Sequence, residues 1–138
     1  MKKYYFDTSI WLDLFEDRNK GSFAKTTIAR KLLDKILRDN GVIVYSGFII
    51  LELKNQGYTN YEVRSFWRDI NPFMLFGKYD LRLVGKAKDL SKKRGLPLFD
   101  AIHALIAREN NSILISRDRH FNLLKDICRC MSPEEIID

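Results

Sequence analysis

Short β-rich runs alternate with longer stretches of helical periodicity from one end of the chain to the other. Lys3 to Phe6 reads as a strand ending at Asp7, after which Thr8 or Ser9 is placed to cap a short helix through Ile10, Trp11, Leu14 and Phe15. Ala24, Ile28, Leu32 and Ile36 recur at helical spacing and predict a helix from Phe23 to Arg38, closed by Asn40-Gly41. The β-branched run Val42 to Tyr45 predicts a second strand, followed by a helix carrying Phe48, Ile49, Leu51, Glu52 and Leu53 that stops near Gly57. Thr59 or Asn60 opens an amphipathic helix whose buried side holds Val63, Phe66, Trp67 and Ile70. Pro72 to Asp80 has room for a short edge strand.

In the second half, Leu83, Val84, Ala87, Leu90 and Arg94 mark a helix stopped by Gly95. Pro97 starts a helix from Leu98 to Glu109 that is apolar almost all round, a pattern that predicts burial. Ser112 to Ile115 predicts a strand, Asp118 to Leu124 a short helix and Ile127 to Met131 a last strand. Ser132-Pro133-Glu134-Glu135 supplies a cap, a first-turn proline and a glutamate three residues on, which predicts a final helical turn. Strands alternating with helices argue for an α/β fold with a mostly parallel central sheet. With no repeats and no Pro/Gly/Ser-rich linker, residues 1–138 are expected to form a single domain.

Charge sharpens this picture. The formal net charge is +6, which suits an acidic partner such as nucleic acid, an acidic protein or an anionic surface. The basic residues are spread along the chain, apart from a short cluster at Lys86, Lys88, Lys92, Lys93 and Arg94 that also fits the wet face of a helix. No apolar run approaches the roughly eighteen residues of a membrane span, and Asp7 interrupts what would otherwise follow a charged leader, so a cytoplasmic protein with no membrane partner is expected. Cys128 and Cys130, read within one strand, would point the same way, poorly placed to bond each other.

Most acidic residues fall on helix faces that water can reach. Four do not. Asp7 ends a strand expected in the middle of the sheet, and Asp118 follows the strand Ile113-Leu114-Ile115-Ser116. Glu52 is flanked by Ile49, Ile50, Leu51 and Leu53, and Asp100 begins a helix whose next polar side chain is His103. A carboxylate buried without a partner costs several kcal/mol. Each has a structural explanation: Asp7 and Asp118 as caps, Asp100 in a first helical turn, Glu52 paired with a core arginine. Asp7 and Asp118 nevertheless follow strand C-termini, and Glu52 and Asp100 fall in helices whose first turns begin there, the edge where open α/β sheets bind ligands. Converging there, they would repel one another unless a divalent cation offset the charge, and oxygen-only ligation selects Mg²⁺ or Mn²⁺.

The same residues carry a family resemblance. Tyr5-Phe6-Asp7-Thr8-Ser9-Ile10-Trp11 resembles the opening strand of PIN domains, and Ile50-Leu51-Glu52-Leu53 resembles the family's glutamate site. Leu96-Pro97-Leu98-Phe99-Asp100-Ala101-Ile102-His103-Ala104 resembles the third acidic site, and Ile115-Ser116-Arg117-Asp118-Arg119-His120-Phe121 the fourth. The motifs run in order across nearly the whole chain, and its size resembles the stand-alone VapC-like toxins of type II toxin–antitoxin systems. The resemblance implies a three-layer α/β/α sandwich and a ribonuclease acting on single-stranded or structured RNA. It assigns Asp7, Glu52, Asp100 and Asp118 to catalysis and to an Mg²⁺ or Mn²⁺ site, with Thr8, Ser9 and Ser116 in support. Arg117, Arg119 and His120 are the basic residues nearest that site and are expected to hold RNA phosphates, although a solvated loop explains them equally. His103 reads as a satisfied core histidine, and helical spacing assigns Trp11 and Phe15 to the core rather than to stacking on bases. An antitoxin partner and a homodimer, with Phe66, Trp67 and Phe73 at the interface, are further implications.

Two other readings compete. A PIN-like module that binds RNA or protein without cutting would need fewer carboxylates at the cleft. A receiver or a haloacid-dehalogenase-type phosphatase also places aspartates at strand ends, but Ser9 stands where the phosphatase needs its second aspartate.

Overall fold

The structure, a computed structural model, describes residues 1–16 and 23–138. Five strands form one sheet, β1 (Lys3–Phe6), β2 (Val42–Tyr45), β3 (Met74–Phe76), β4 (Ile113–Ile115) and β5 (Cys130–Met131), in the order β3-β2-β1-β4-β5. Every pairing is parallel. The helices are α1 (Thr8–Phe15), α2 (Phe23–Arg38), α3 (Gly47–Asn55), α4 (Asn60–Trp67), α5 (Leu83–Arg94), α6 (Leu98–Glu109) and α7 (Pro133–Ile137), with 3₁₀ turns at Asn71–Phe73 and Arg119–Leu124. None among the described residues is long and apolar enough to cross a membrane.

Strand composition explains the layering. Tyr5, Phe6, Ile43, Val44, Leu114 and Ile115 are shut off completely from solvent. Burial on both faces is what a parallel sheet demands, and each such side chain contributes about 1.5–3 kcal/mol. Right-handed crossovers place α1 to α4 on one face, because β1→β2 and β2→β3 step in one direction. The later connections step the other way, placing α5, α6 and the second 3₁₀ turn on the opposite face. Helix contacts follow this division: α1 packs on α2 and α3, and α5 packs on α6. The result is an α/β/α sandwich whose sheet is parallel throughout.

Local signals set the element ends. Thr59 and Ser132 each form a capping box with a glutamate three residues on. Gly95 ends α5 in the left-handed region at φ 64°, where a side chain would be strained. α6 is buried along nearly its whole length, from Ala101 to Ala107.

Four expectations need correction. Asp7, not Thr8 or Ser9, occupies the N-cap position of α1, and its side chain makes no cap bond. α4 stops at Trp67, so Ile70 lies beyond the helix that was expected to carry it. The last strand is only Cys130–Met131, because Ile127 N–H and Cys128 N–H bond back to Leu124 O and prolong the preceding turn. Cys128 therefore lies outside the strand, and the two thiols, expected to be poorly placed to meet, approach Sγ to Sγ at 3.5 Å.

Candidate active site

The sheet reverses its direction of winding between β1 and β4. Their C-terminal ends open the crevice where this class of fold binds ligands. Asp7 leaves the end of β1, and Ser116 and Asp118 leave the end of β4. Asp100 sits in the first turn of α6, and Glu52 lies on α3, which begins directly after β2. Asp7 N–H donates to Ile115 O at 3.0 Å, so backbone pairing continues to the lip of the crevice.

Asp7 is buried, and its Oδ2 accepts from Ser9 Oγ at 2.9 Å and from Ser116 Oγ at 2.6 Å. Ser116 Oγ in turn accepts the N–H of Asp118 at 2.9 Å, which links two of the acidic positions through one hydroxyl. Asp118 caps the following 3₁₀ turn, its Oδ1 accepting His120 N–H at 2.9 Å. The capping role open to Asp118 from sequence is therefore real, and it fixes this carboxylate rather than removing it from the crevice.

Asp100 carries the clearest electrostatic signature. Burial first, then the negative charges of Asp7 and Asp118, push its carboxyl up to about 6. The nearby imidazoles pull in the opposite direction and are outweighed. Three acids whose charges oppose one another in a half-desolvated cleft are the donor set that a divalent cation relieves. Potential ligand atoms of Asp100, Asp118 and His120 all lie within 4.8 Å of one another. His120 Nδ1 stands 3.2 Å from Asp100 Oδ2 and 3.2 Å from Asp118 Oδ1.

Glu52 is held differently. Its Oε1 accepts Thr8 Oγ1 at 2.7 Å and contacts His103 Nε2 closely. His103 is fully buried, and its Nδ1 meets Tyr5 Oη at 2.7 Å, which meets Ser46 Oγ at 2.8 Å. Ser46 Oγ accepts Ile49 N–H at 3.3 Å as the N-cap of α3, the helix that carries Glu52. Bond polarity follows from the two ends. An ionised Glu52 requires a proton on His103 Nε2, so a neutral ring accepts at Nδ1 from the Tyr5 hydroxyl, which accepts from Ser46. Burial works to raise the Glu52 pKa, but the His103 and Thr8 contacts outweigh it and the net shift is downward. No core arginine pairs with Glu52 among the described residues. The satisfied core histidine expected at 103 is bonded at both nitrogens.

The basic residues divide. Arg117 forms a two-pronged ion pair with Asp13, Nε to Oδ2 at 2.7 Å and NH2 to Oδ1 at 2.8 Å. Arg119 and Lys125 line a cavity of about 190 Å³ beside Asp118, whose wall also includes Cys130. Trp11 and Phe15 are core residues, as their spacing indicated. Trp67 is buried against Trp11 and Tyr45, and Phe66 stacks on Phe15 at 4.1 Å, so Phe73 is the one expected interface aromatic that is exposed. Sequence reasoning missed Asp13, which is almost fully buried between apolar neighbours Leu12 and Leu14. The signal that singled out Glu52, an acid within an apolar run, was present there too.

Similarity to known proteins falls on this same frame. A structure of VapBC2 from Rickettsia felis bound to a DNA fragment from the promoter contains a chain of like fold, with TM-score 0.68 and 14% identity. The match covers 94% of this chain and 98% of that one. A chain of VapBC-1 from nontypeable Haemophilus influenzae aligns with TM-score 0.66 and 20% identity over 96% and 98% of the two chains. A chain of FitAcB from Neisseria gonorrhoeae gives 0.63 and 12% over 95% and 98%. No curated protein matches the sequence significantly. The family model for the PIN domain matches residues 4–127, a span that includes all four acidic positions and both 3₁₀ turns, and the chain belongs to the PIN-domain family.

Proposed function

We propose that residues 1–138 form a single PIN domain acting as a metal-dependent endoribonuclease, the VapC-like toxin of a toxin–antitoxin pair. The observation that carries this reading is the gathering of Asp7, Asp100 and Asp118 at the β1/β4 crevice, where burial, reinforced by the charges of Asp7 and Asp118, raises the Asp100 carboxyl to about 6. Family membership supports nuclease chemistry, and the VapBC neighbours support an antitoxin partner.

Asp7, Asp100 and Asp118 would hold the ion, Mg²⁺ or Mn²⁺, with Glu52 completing the set directly or through water. When bound there, a divalent ion would supply an activated water and offset charge on the leaving oxygen of a phosphodiester. Ser9 and Ser116 keep the Asp7 carboxylate turned into the crevice, and Thr8 and His103 do the same for Glu52. Arg119 and Lys125, on the cavity beside Asp118, are suited to phosphates flanking the cut. Arg117 serves first to anchor the Asp118 loop through Asp13. The net charge of +6 favours RNA at this face, free thiols suit a cytoplasmic setting, and exposed Phe73 is available to a second copy in a homodimer.

The test is cleavage of a labelled single-stranded RNA with Mn²⁺ or Mg²⁺, beside EDTA and an Asp7→Asn, Asp100→Asn double variant. Metal-dependent cleavage lost in the variant is expected. If the ion stabilises the wild type alone but no RNA is cut, the metal centre stands and the substrate assignment fails. Absence of both effects favours an RNA- or protein-binding module.

A further inference from the structure

The four acids alone describe an all-oxygen site, yet the side chain placed best to join Asp100 and Asp118 is an imidazole. His120 Nδ1 lies 3.2 Å from a carboxylate oxygen of each. Both separations are short enough for one divalent ion to be shared by the ring nitrogen and the two carboxylates, and all three ligand atoms lie within 4.8 Å of one another. His120 is not placed there by chance of a long side chain. Its own backbone N–H is fixed to Asp118 Oδ1 at 2.9 Å by the cap of the 3₁₀ turn, and the ring is half exposed, open to an incoming ion.

We propose that His120 is a direct nitrogen ligand of the divalent ion, making the centre a mixed nitrogen–oxygen site that prefers Mn²⁺ to Mg²⁺. The inference rests on the metal-dependent reading above and adds the ligand and the selectivity that follows from it. Mg²⁺ takes oxygen donors and parts reluctantly with water, whereas imidazole favours first-row transition ions. His120 was expected from sequence to hold phosphate. In this arrangement its ring faces the carboxylates, and phosphate contact is left to Arg119 and Lys125. A competing role for the ring is that of a cation that neutralises Asp100 and Asp118 until an ion displaces it.

Pulsed electron paramagnetic resonance of the Mn²⁺-loaded full chain separates these roles, because the chain has only two histidines. The proposal predicts nitrogen modulation that changes when histidine is labelled with ¹⁵N and disappears in His120→Ala and His120→Asn. It also predicts that either variant weakens Mn²⁺ binding about ten-fold while changing Mg²⁺ binding by less than about two-fold. Mn²⁺ bound with no nitrogen modulation would overturn the nitrogen ligand and leave the metal-dependent nuclease standing. So would modulation that survives in both variants, or equal weakening of the two ions. Failure of the wild type to bind Mn²⁺ at all would remove the metal centre together with this inference.

Discussion

Asp100 states the problem of the site in one residue. Its carboxyl is partly desolvated beside Asp7 and Asp118, so protonation relieves the folded protein more than the unfolded chain. The sign follows from linkage. With a folded pKa of about 6 above the unfolded value, the stabilising proton is present at low pH and lost as pH rises through 6. Metal-free protein should therefore lose stability between about pH 4 and pH 6, and Asp100→Asn should flatten that dependence. Solvent screening limits the gain at neutral pH to roughly a 3 °C rise in melting temperature. Thermal melts of both proteins at pH 5 and pH 7 in EDTA check this. A variant less stable than wild type at pH 7 would contradict it. In the presence of metal the same group predicts activity that rises with pH.

Tyr5 makes the opposite point, that a neutral hydroxyl can hold a charged group at a distance. Tyr5→Phe leaves His103 Nδ1 and Ser46 without their shared partner in a fully buried pocket. Unsatisfied buried groups cost about 1–3 kcal/mol, so the urea midpoint should fall accordingly. Because His103 then loses its fixed orientation toward Glu52, turnover should fall further than RNA affinity does. Unchanged stability with unchanged turnover would show that the chain of hydroxyls positions nothing.

At the scale of elements, the Asp13–Arg117 pair joins α1 to the loop leaving β4. Arg117→Ala strands a nearly buried carboxylate and should cost about 2–3 kcal/mol, measurable by urea unfolding. It should also loosen Ser116 and Asp118, so cleavage should weaken even for short RNAs that cannot reach Arg117. An effect confined to long substrates would instead make Arg117 an RNA contact. This coupling also shows what sequence could and could not supply. Periodicity and caps placed α2, β2, α5 and α6 well, because their ends carry local signals such as Gly95 and Pro97. An apolar neighbourhood in sequence correctly marked Asp7 as buried and Glu52 and Asp100 as partly buried, whereas Asp118, expected to be shielded as well, is exposed at the mouth of the crevice because it caps a surface turn. What sequence could not supply were contacts between residues far apart along the chain. Thr8 bonds Glu52, Tyr5 bonds His103, and Asp13 bonds Arg117 only because the crossovers bring them together. The cysteines failed for a related reason. A strand pattern cannot reveal that Cys128 remains in the preceding turn, where the contact with Cys130 and then burial raise its thiol pKa, while the same contact lowers that of Cys130.

For the molecule as a whole, the sandwich serves to place acids from the ends of β1 and β4 and from the helices α3 and α6 around one crevice. On the proposed function, the basic net charge would draw a polyanion toward a cleft whose carboxylates would otherwise repel it, and a bound ion would offset that repulsion. The direct test of this account is the chemistry of the cut ends when an internally labelled RNA is incubated with Mn²⁺-loaded protein. Water attacking the phosphodiester at the carboxylate cluster leaves 5′-phosphate termini, and these products should vanish with EDTA and in the Asp7→Asn, Asp100→Asn variant. Cleavage that persists in that variant, or ends bearing 2′,3′-cyclic phosphate made without metal, would contradict it.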